Sequence, residues 1–437
     1  MRLDSLYLWY LGAQTPRFVG ELSLVAAGKG VSLRYGPDWL SSGFPLSEDL
    51  PLVDTVFRPP GRLTADAPRA VGAVDDARPD RWGEKVIRFI DKPARLSLME
   101  FLYYAGDDRF GALGVSTSPS QYIPRPGGPL PRLDQAQDLS EVVAKIEEGE
   151  ALTALEEKII QGGGSPLGGA KPKALIEIEG EQWVIKFASG EYVDAPLVEH
   201  ATMTLARKAD IDVARTQVIP LTSANAVAIR RFDRVDGRRI HSISAGTAIR
   251  AVTPEGEEPM MGYPELARIL RRSGVARSDE FMSDAHQLFR RMVFNILMDN
   301  TDDHEKNHAL LVVDPAANGR MRLAPAYDVL PTNSGQGHQE FICGADGRDS
   351  TLANAMSECA AFGLQPQEAA QHVLKVIEVV DTWKTHFAAA GVSASDLDHL
   401  AQHIDGDQLL KQRVEFDPGK YSGPKPRKRV ASPFRRS

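Results

Sequence analysis

Residues 300–307 read Asn-Thr-Asp-Asp-His-Glu-Lys-Asn and come directly after a segment, residues 280–298, whose apolar side chains recur at helical spacing. Asp302 stands five residues before Asn307. Loops that catalyse phosphoryl transfer use the same spacing between an aspartate that orients the acceptor and an asparagine that binds magnesium. A solvated acidic loop is the alternative, but the position directly after an apolar helix favours a functional loop.

A second candidate metal ligand lies downstream, where residues 323–330 read Leu-Ala-Pro-Ala-Tyr-Asp-Val-Leu. An isolated aspartate at the end of a strand is normally a turn former. Asp328, however, follows the loop of Asp302 in the order in which kinases place a second magnesium-binding aspartate, with Val-Leu in place of the usual Phe-Gly. Together, the two segments predict a magnesium-binding cleft.

Upstream of both segments, a cluster of glycines is suited to holding phosphates. Residues 162–169 contain five glycines, including Gly168 and Gly169. Glycines allow backbone amides to approach phosphate oxygens closely. No Gly-Lys-Ser/Thr follows, so this is not a Walker A sequence, and taken alone the cluster is more often a flexible loop.

A lysine follows in a predicted strand–turn–strand hairpin, residues 174–179 and 182–187. Lys186 interrupts the apolar run Trp-Val-Ile-Lys-Phe, and a lysine in such a strand needs a partner for its ammonium group. Glu199, in the next predicted helix (residues 196–209), is the candidate partner. A surface position with the lysine stem lying along the sheet is the alternative.

Length and composition indicate a globular chain of two or three domains, with 437 residues, 42% hydrophobic and 25% charged. The net charge of −8 argues against binding nucleic acid with the whole surface. The two cysteines, Cys343 and Cys359, fit a reducing compartment. The amino terminus resembles a strand rather than a signal peptide, and no run of about 18 apolar residues occurs. We expect a cytoplasmic protein without a membrane segment.

Turn signals and composition shifts divide the chain into four predicted units. Period-2 alternation over residues 3–60 predicts a small antiparallel sheet, and a Pro/Gly-rich linker over residues 119–131 marks the first boundary. The units are a β-rich amino-terminal domain (1–117), a part with the glycine-rich loop (132–235), a mainly helical part (236–417) and a basic, disordered tail (418–437). Within these units, helices are predicted over residues 139–159, 366–390 and 394–412.

Several ordered motifs resemble those of the HipA family, the serine/threonine kinase toxins of bacterial toxin–antitoxin pairs. The motifs are residues 106–114 (Gly-Asp-Asp-Arg-Phe-Gly-Ala-Leu-Gly), 168–173 (Gly-Gly-Ala-Lys-Pro-Lys), 185–187 (Ile-Lys-Phe), 231–234 (Arg-Phe-Asp-Arg), 300–307 and 325–328 (Pro-Ala-Tyr-Asp). Residues 20–23 and 45–51 also resemble the small sheet domain of that family. Several motifs in one order are far more specific than any one of them.

The resemblance implies an α+β, protein-kinase-like bilobal fold, with a small antiparallel sheet domain at the amino terminus and a mainly helical carboxyl-terminal lobe. It also implies a role for each matching residue. Asp302 accepts or orients the proton of the acceptor hydroxyl, and Asn307 and Asp328 hold Mg²⁺. Lys186 contacts the ATP phosphates with Gly168 and Gly169 nearby, Phe232 and Asp233 lie near adenine and ribose, and His304 and Tyr327 line the same cleft. Ser165 is autophosphorylated as an off switch.

The same resemblance implies partners. The acceptor is a Ser or Thr of a protein, with a translation-related protein such as an aminoacyl-tRNA synthetase as the expected target. A helix-turn-helix antitoxin (HipB-like) neutralises the kinase, and DNA is contacted only through that complex. The basic tail either touches DNA there or serves only as a solubilising segment.

Two positions depart from the family pattern. Arg230 stands where a glutamate commonly contacts adenine, so a backbone carbonyl has to accept the adenine amino proton instead. Asp303 beside Asp302 leaves two candidates for the base, and the spacing to Asn307 favours Asp302. Two other functions stay open: a small-molecule phosphotransferase on the same scaffold, and a non-catalytic, partner-binding protein.

Overall fold

The computed structural model describes residues 3–61, 68–163, 171–273, 284–314 and 320–422. A small sheet domain forms the first part of the chain. The elements of the first part are strands β1 (Ser5–Tyr10), β2 (Arg17–Val25), β3 (Gly30–Tyr35), β4 (Val56–Phe57), β5 (Arg69–Ala70) and β6 (Leu113–Ser116), and helices α1 (Pro37–Ser42), α2 (Ala73–Asp76), α3 (Arg81–Ile90) and α4 (Leu98–Tyr104), with a 3-10 turn at Ala26–Gly28.

The strands of this sheet lie in the order β4-β3-β2-β1-β6, and neighbours on this path are antiparallel. Strand β5 joins β3 in parallel, which the alternation did not predict. Leu6 and Leu8 are fully buried on one face, because alternate residues of a strand point to the same side. All four residues of β6 are buried.

A four-stranded antiparallel sheet forms the second part, in the order β7-β8-β10-β9. Its elements are a 3-10 turn at Leu133–Gln135, helices α5 (Ala136–Glu148), α6 (Ala154–Gly163) and α7 (Ala195–Lys208), and strands β7 (Lys173–Ile178), β8 (Glu181–Phe187), β9 (Thr216–Pro220) and β10 (Asn225–Arg230). The sequence predicted one helix over residues 139–159. The structure has two, because Gly149 ends α5 in the left-handed conformation at φ 76°.

The third part is mainly helical but contains a three-stranded sheet, β13-β14-β15. The strands of this third part of the chain are β11 (Arg234–Val235), β12 (Arg238–Arg239), β13 (Ser242–Ser244), β14 (Ala309–Asp314) and β15 (Arg320–Leu323). Its helices are α8 (Ala245–Val252), α9 (Tyr263–Ser273), α10 (Asp284–Leu297), α11 (Leu352–Ser357), α12 (Pro366–Val380), α13 (Trp383–Ala389), α14 (Ala394–Ile404) and α15 (Asp407–Glu415), with 3-10 turns at Cys359–Phe362 and Pro418–Tyr421.

Hydrophobic packing crosses the predicted boundaries. One core contains Leu6 and Leu8 of the first sheet together with Phe289 of α10. Trp82 of α3, although within residues 1–117, packs in a second core with α5 and the four-stranded sheet. The predicted units therefore share their cores instead of each having one of its own.

The predicted tail begins with an ordered turn. Pro418–Tyr421 form a 3-10 helix, and the Tyr421 ring stacks on Phe416 with centroids 5.8 Å apart. Residues 423–437 lie outside the described part of the chain. Within the described residues, no helix is both long and apolar enough to cross a membrane.

Candidate active site

Lys186 is at the centre of a charged cluster where the four-stranded sheet faces the carboxyl-terminal lobe. Its Nζ donates to Glu199 Oε1 and to Asp328 Oδ1, each at 2.7 Å. Lys186 lies on β8, Glu199 on α7 and Asp328 after β15, so three elements converge. The side chains of Lys186 and Glu199 are 12% and 4% exposed, whereas that of Asp328 is 31% exposed. The predicted pairing of Lys186 with Glu199 is confirmed.

Burial and the neighbouring charges shift the pKa of each group in this cluster. Burial alone would lower the pKa of Lys186, but the Asp328 and Glu199 carboxylates outweigh it and raise that pKa. Burial would raise the pKa of Asp328, but Lys186 holds it well below its usual range. Burial raises the pKa of Glu199, against the pull of Lys186. The Lys186 ammonium contacts both carboxyl groups, and Lys173 adds a second positive charge that also interacts with Asp328 and Glu199.

The loop of residues 300–307 presents its two neighbouring aspartates to different surroundings. Asp302 is exposed and Asp303 is buried. The Tyr263 hydroxyl donates a hydrogen bond to Asp303 Oδ2, and His308 Nε2 lies 2.9 Å from the same oxygen. Of the two candidate bases, only Asp302 is open to an incoming acceptor, which agrees with the spacing argument.

One hydrogen bond within the loop of residues 300–307 and one between this loop and the segment of Asp328 bring the site residues together. Asn307 Nδ2 donates to the Asp302 carbonyl oxygen at 3.3 Å, and the Tyr327 hydroxyl donates to the Lys306 carbonyl oxygen at 2.7 Å. Partial desolvation raises the pKa of Asp302; His304 opposes this effect and the Asp328 carboxylate adds to it. Lys186, Asp302, Asn307 and Asp328 are thus gathered at one place.

Aromatic rings form a wall beside this cluster. The Phe232 ring lies 5.2 Å from that of Tyr327, and 6.1 Å edge-on from that of Phe110 in the amino-terminal domain. All three pack on a small apolar cluster made by Ala309, Leu311 and Ala324. Phe232 and Tyr327 are therefore neighbours, as expected if both contact an adenine base, and that contact stays a prediction.

The other predicted nucleotide contacts have different surroundings. His304 is half-buried, and its Nδ1 accepts a hydrogen bond from the Lys306 backbone at 3.2 Å. Asp233 is buried, and its carboxylate is engaged by Arg231, Arg234 and the Gly111 amide at 2.7–2.9 Å. Three of these four bonds end on Oδ2 and one on Oδ1, and the predicted position of Asp233 near the ribose stays a prediction.

Three further predictions cannot be located. Gly168, Gly169 and Ser165 lie outside the described residues, between Gly163 and Lys171.

Arg230, the position that departs from the family pattern, donates to the Glu181 carboxylate on the neighbouring strand.

Sequence reasoning missed two lysines at the site. Lys173 lies opposite Lys186 in the register of β7 and β8 and is buried; burial and the Lys186 charge lower the pKa of Lys173 to about 8. A turn at residues 179–180, instead of the predicted turn at residues 180–181, would have paired Lys173 with Lys186. Lys306 Nζ donates to Asp80 Oδ1 at 2.5 Å, and a contact between such distant positions leaves no local signal.

Two family models and two curated relatives match this chain. The HipA-like C-terminal domain matches residues 165–383 and the HipA N-terminal domain matches residues 13–116. A Sinorhizobium fredii protein named as a kinase is 32% identical over 165 residues, 35% of this chain and 38% of that protein, so the match spans well under half of the relative. The serine/threonine-protein kinase toxin HipA of Shewanella oneidensis is 22% identical over 344 residues, 71% of this chain and 72% of the relative.

A solved structure shows the same fold. A chain in the complex of HipA, HipB and operator DNA from Shewanella oneidensis superposes with a TM-score of 0.61 at 17% identity, over 94% of this chain and 97% of that one. The predicted α+β, protein-kinase-like bilobal fold is confirmed. With its two lobes, paired strand lysine and loop aspartate, the molecule is a kinase-like protein in architecture. The family matches are more specific, and this chain belongs to the HipA family.

Proposed function

We propose that this chain is an ATP- and magnesium-dependent protein kinase that phosphorylates serine or threonine and acts as a toxin. The observation that carries the proposal is the convergence of Lys186, Asp302, Asn307 and Asp328, which come from separate elements. The kinase names of two relatives support it.

The side chains at the site suit magnesium. Asn307 and Asp328 offer amide and carboxylate oxygens, the donors that Mg²⁺ prefers, and one or two protein ligands with substrate phosphates is its usual arrangement. Lys186 keeps Asp328 ionised. The backbone of Asp328 has φ 57°, a left-handed conformation that is uncommon outside glycine and is concentrated at functional sites.

In this proposal each residue has one task. Lys186 binds phosphate oxygens, and exposed Asp302 accepts or orients the proton of the acceptor hydroxyl. Asn307 and Asp328 would hold magnesium, which would neutralise the phosphate charge. Phe232 and Tyr327 contact the base, with His304 beside them, while the backbone near Gly168 and Gly169 covers the phosphates. Catalysis is therefore mainly positioning and charge stabilisation.

The substrate and partners are part of the proposal. The acceptor is a protein serine or threonine, with a translation-related protein such as an aminoacyl-tRNA synthetase as the target class, and Ser165 is an internal acceptor whose phosphorylation switches the kinase off. A helix-turn-helix antitoxin binds and neutralises the chain. The fold shared with HipA, which was solved together with HipB and operator DNA, supports such a partner and a contact with DNA through it.

The decisive experiment compares the chain with its Asp302→Ala variant in the presence of labelled ATP and Mg²⁺. We expect label on Ser165 or on an added protein, and a loss of about 10²–10⁴-fold in the variant because general base assistance is worth that much. Asp54→Ala, which removes an exposed carboxylate far from the site, is the control and should transfer at the wild-type rate.

Two results would favour the alternatives. Label found only on a metabolite would indicate a small-molecule phosphotransferase on the same scaffold. Growth arrest of equal strength on overexpression of wild type and Asp302→Ala would indicate a non-catalytic, partner-binding toxin.

A further inference from the structure

A buried polar network lies directly beneath the exposed Asp302. The Tyr263 hydroxyl and His308 Nε2 both reach Oδ2 of Asp303, the neighbour of Asp302. We propose that Asp303 is a positioning residue, anchored by Tyr263 and His308, which holds the loop so that Asp302 faces the acceptor. The proposal rests on the role of Asp302 in the proposed function.

The network continues into the helix that precedes the loop. Asn295 Nδ2 on α10 donates to the Tyr263 hydroxyl at 3.1 Å, and Asn300 Nδ2 donates to Asn295 Oδ1 at 3.1 Å. The Tyr263 hydroxyl therefore donates to one partner and accepts from another, which orients it fully. Asn295, Asn300 and Asp303 tie the end of α10 and the first half of the loop to one tyrosine.

The same network reaches the segment that follows Asp328. The Phe341 ring stacks on His308 with centroids 5.4 Å apart and meets Tyr263 edge-on at 5.0 Å. The Tyr263 amide donates to the Ile342 carbonyl oxygen at 2.9 Å, and the Glu340 amide donates to the Thr301 carbonyl oxygen at 3.1 Å. Tyr263 thus joins the loop to residues 340–342 through side chain and backbone together.

The buried Asp303 carboxylate needs the hydrogen-bond partners that surround it. A buried carboxylate is costly unless hydrogen bonds and an opposite charge compensate it. Burial would raise the pKa of Asp303, but His308 and Tyr263 outweigh it and lower the pKa. Since the Asp302 carbonyl also accepts from Asn307, the peptide between the two aspartates is held from both sides, and Asp302 has little freedom to turn away.

The test compares Asp303→Ala, Asp303→Asn and Tyr263→Phe in the full chain. Displacing a reacting group by about 1 Å costs about 100-fold in rate, so we expect Asp303→Ala to lower kcat by about that factor with KM for ATP changed less than about threefold. Both donors reach one oxygen, which an amide oxygen replaces, so Asp303→Asn should recover most of kcat. Tyr263→Phe should fall between the two.

A matched control separates positioning from stability. Tyr35→Phe also removes a buried hydroxyl, one that donates to the Leu50 carbonyl oxygen in the amino-terminal domain, and should lower Tm without changing kcat. If Asp303→Ala and Tyr263→Phe likewise lower only Tm, with kcat per folded molecule unchanged, the positioning role is wrong while the proposed function stands.

Hydrogen exchange tests the positioning role of Asp303 even if the wild type transfers no phosphate. That lack of transfer would refute the proposed function alone. Backbone amides of residues 300–307 should exchange hydrogen faster in Asp303→Ala than in Tyr35→Phe. Equal exchange in the two variants would overturn the positioning role.

Discussion

Two charged clusters in this molecule use similar groups for different ends. The open cluster consists of Lys186, Glu199 and Asp328, and the closed cluster consists of Arg231, Asp233 and Arg234. In the open cluster one cation meets two carboxyl groups, and Asp328 is 31% exposed. In the closed cluster two cations meet one carboxylate, and exposed fractions are 2%, 3% and 10%.

The closed cluster joins two domains. Arg231 donates to the Asp108 carbonyl oxygen at 2.8 Å and Arg234 to that of Arg109 at 3.0 Å, while the Gly111 amide donates to Asp233. These bonds fix the loop that carries Phe110 against the aromatic wall. The comparison teaches that an ion cluster closed off from solvent supports structure, whereas one with an exposed carboxylate is suited to binding.

The largest effect on phosphoryl transfer is expected from a substitution that breaks the open cluster. Lys186→Met removes the ammonium group that pairs with both Glu199 and Asp328, and should lower phosphoryl transfer by about 10²–10³-fold, since a preorganised charge at the reacting group is worth that much. The measurement is transfer from labelled ATP, with Lys145→Met, a surface lysine paired with Glu156, as the control. Wild-type transfer by Lys186→Met would show that the open cluster is structural.

Breaking the closed cluster should act on stability instead. Asp233→Asn leaves two buried guanidinium groups without their anion, and we expect a loss of about 3 kcal/mol in the free energy of unfolding. Urea unfolding measures it, with the same substitution at exposed Asp54, paired to Arg34, costing less than about 1 kcal/mol. A variant that unfolds normally but has lost ATP binding would mean that Asp233 contacts the nucleotide after all.

The pH dependence of stability sharpens the same contrast. Burial would raise the pKa of Asp233, but Arg231 and Arg234 outweigh it and lower the pKa to about 2. A carboxyl group whose pKa falls on folding stabilises the protein above its unfolded pKa of about 3.9, and the contribution, about 3 kcal/mol, disappears as pH falls towards 2. The stability gap between wild type and Asp233→Asn should therefore narrow below pH 4. A gap that does not change with pH would contradict the lowered pKa.

The smallest effect is expected at Arg230, outside both clusters. Its side chain is 41% exposed and pairs with Glu181, itself 40% exposed, and exposed pairs contribute less than about 1 kcal/mol. Arg230→Ala should therefore leave the unfolding free energy and the KM for ATP nearly unchanged. A marked rise in that KM would place Arg230 in contact with the nucleotide.

Much of the site was predictable because its motifs are local. The hairpin, the lysine within it and the five-residue spacing of Asp302 and Asn307 all follow from patterns a few residues long. Helix boundaries were less accurate. Helices predicted over residues 366–390 and 394–412 each divide in two, at residues 381–382 and 405–406, because apolar periodicity continues across a short break.

What the sequence could not predict are contacts between distant segments. The spacing to Asn307 already favoured Asp302, but the enclosure of Asp303 by Tyr263 and the engagement of Asp233 by a loop of the amino-terminal domain are such contacts. Lys173 and the Asp80–Lys306 pair were missed for the same reason.

By itself, then, the sequence determined the order of the motifs, the α+β class and which side chains are candidates for phosphoryl transfer, since backbone propensity and spacing are local properties. Only the tertiary structure decided which of those side chains meet and which are enclosed. Lys186 reaches Asp328 across 142 positions and Gly111 reaches Asp233 across 122. The burial that sets their charges exists only once the distant segments have packed together.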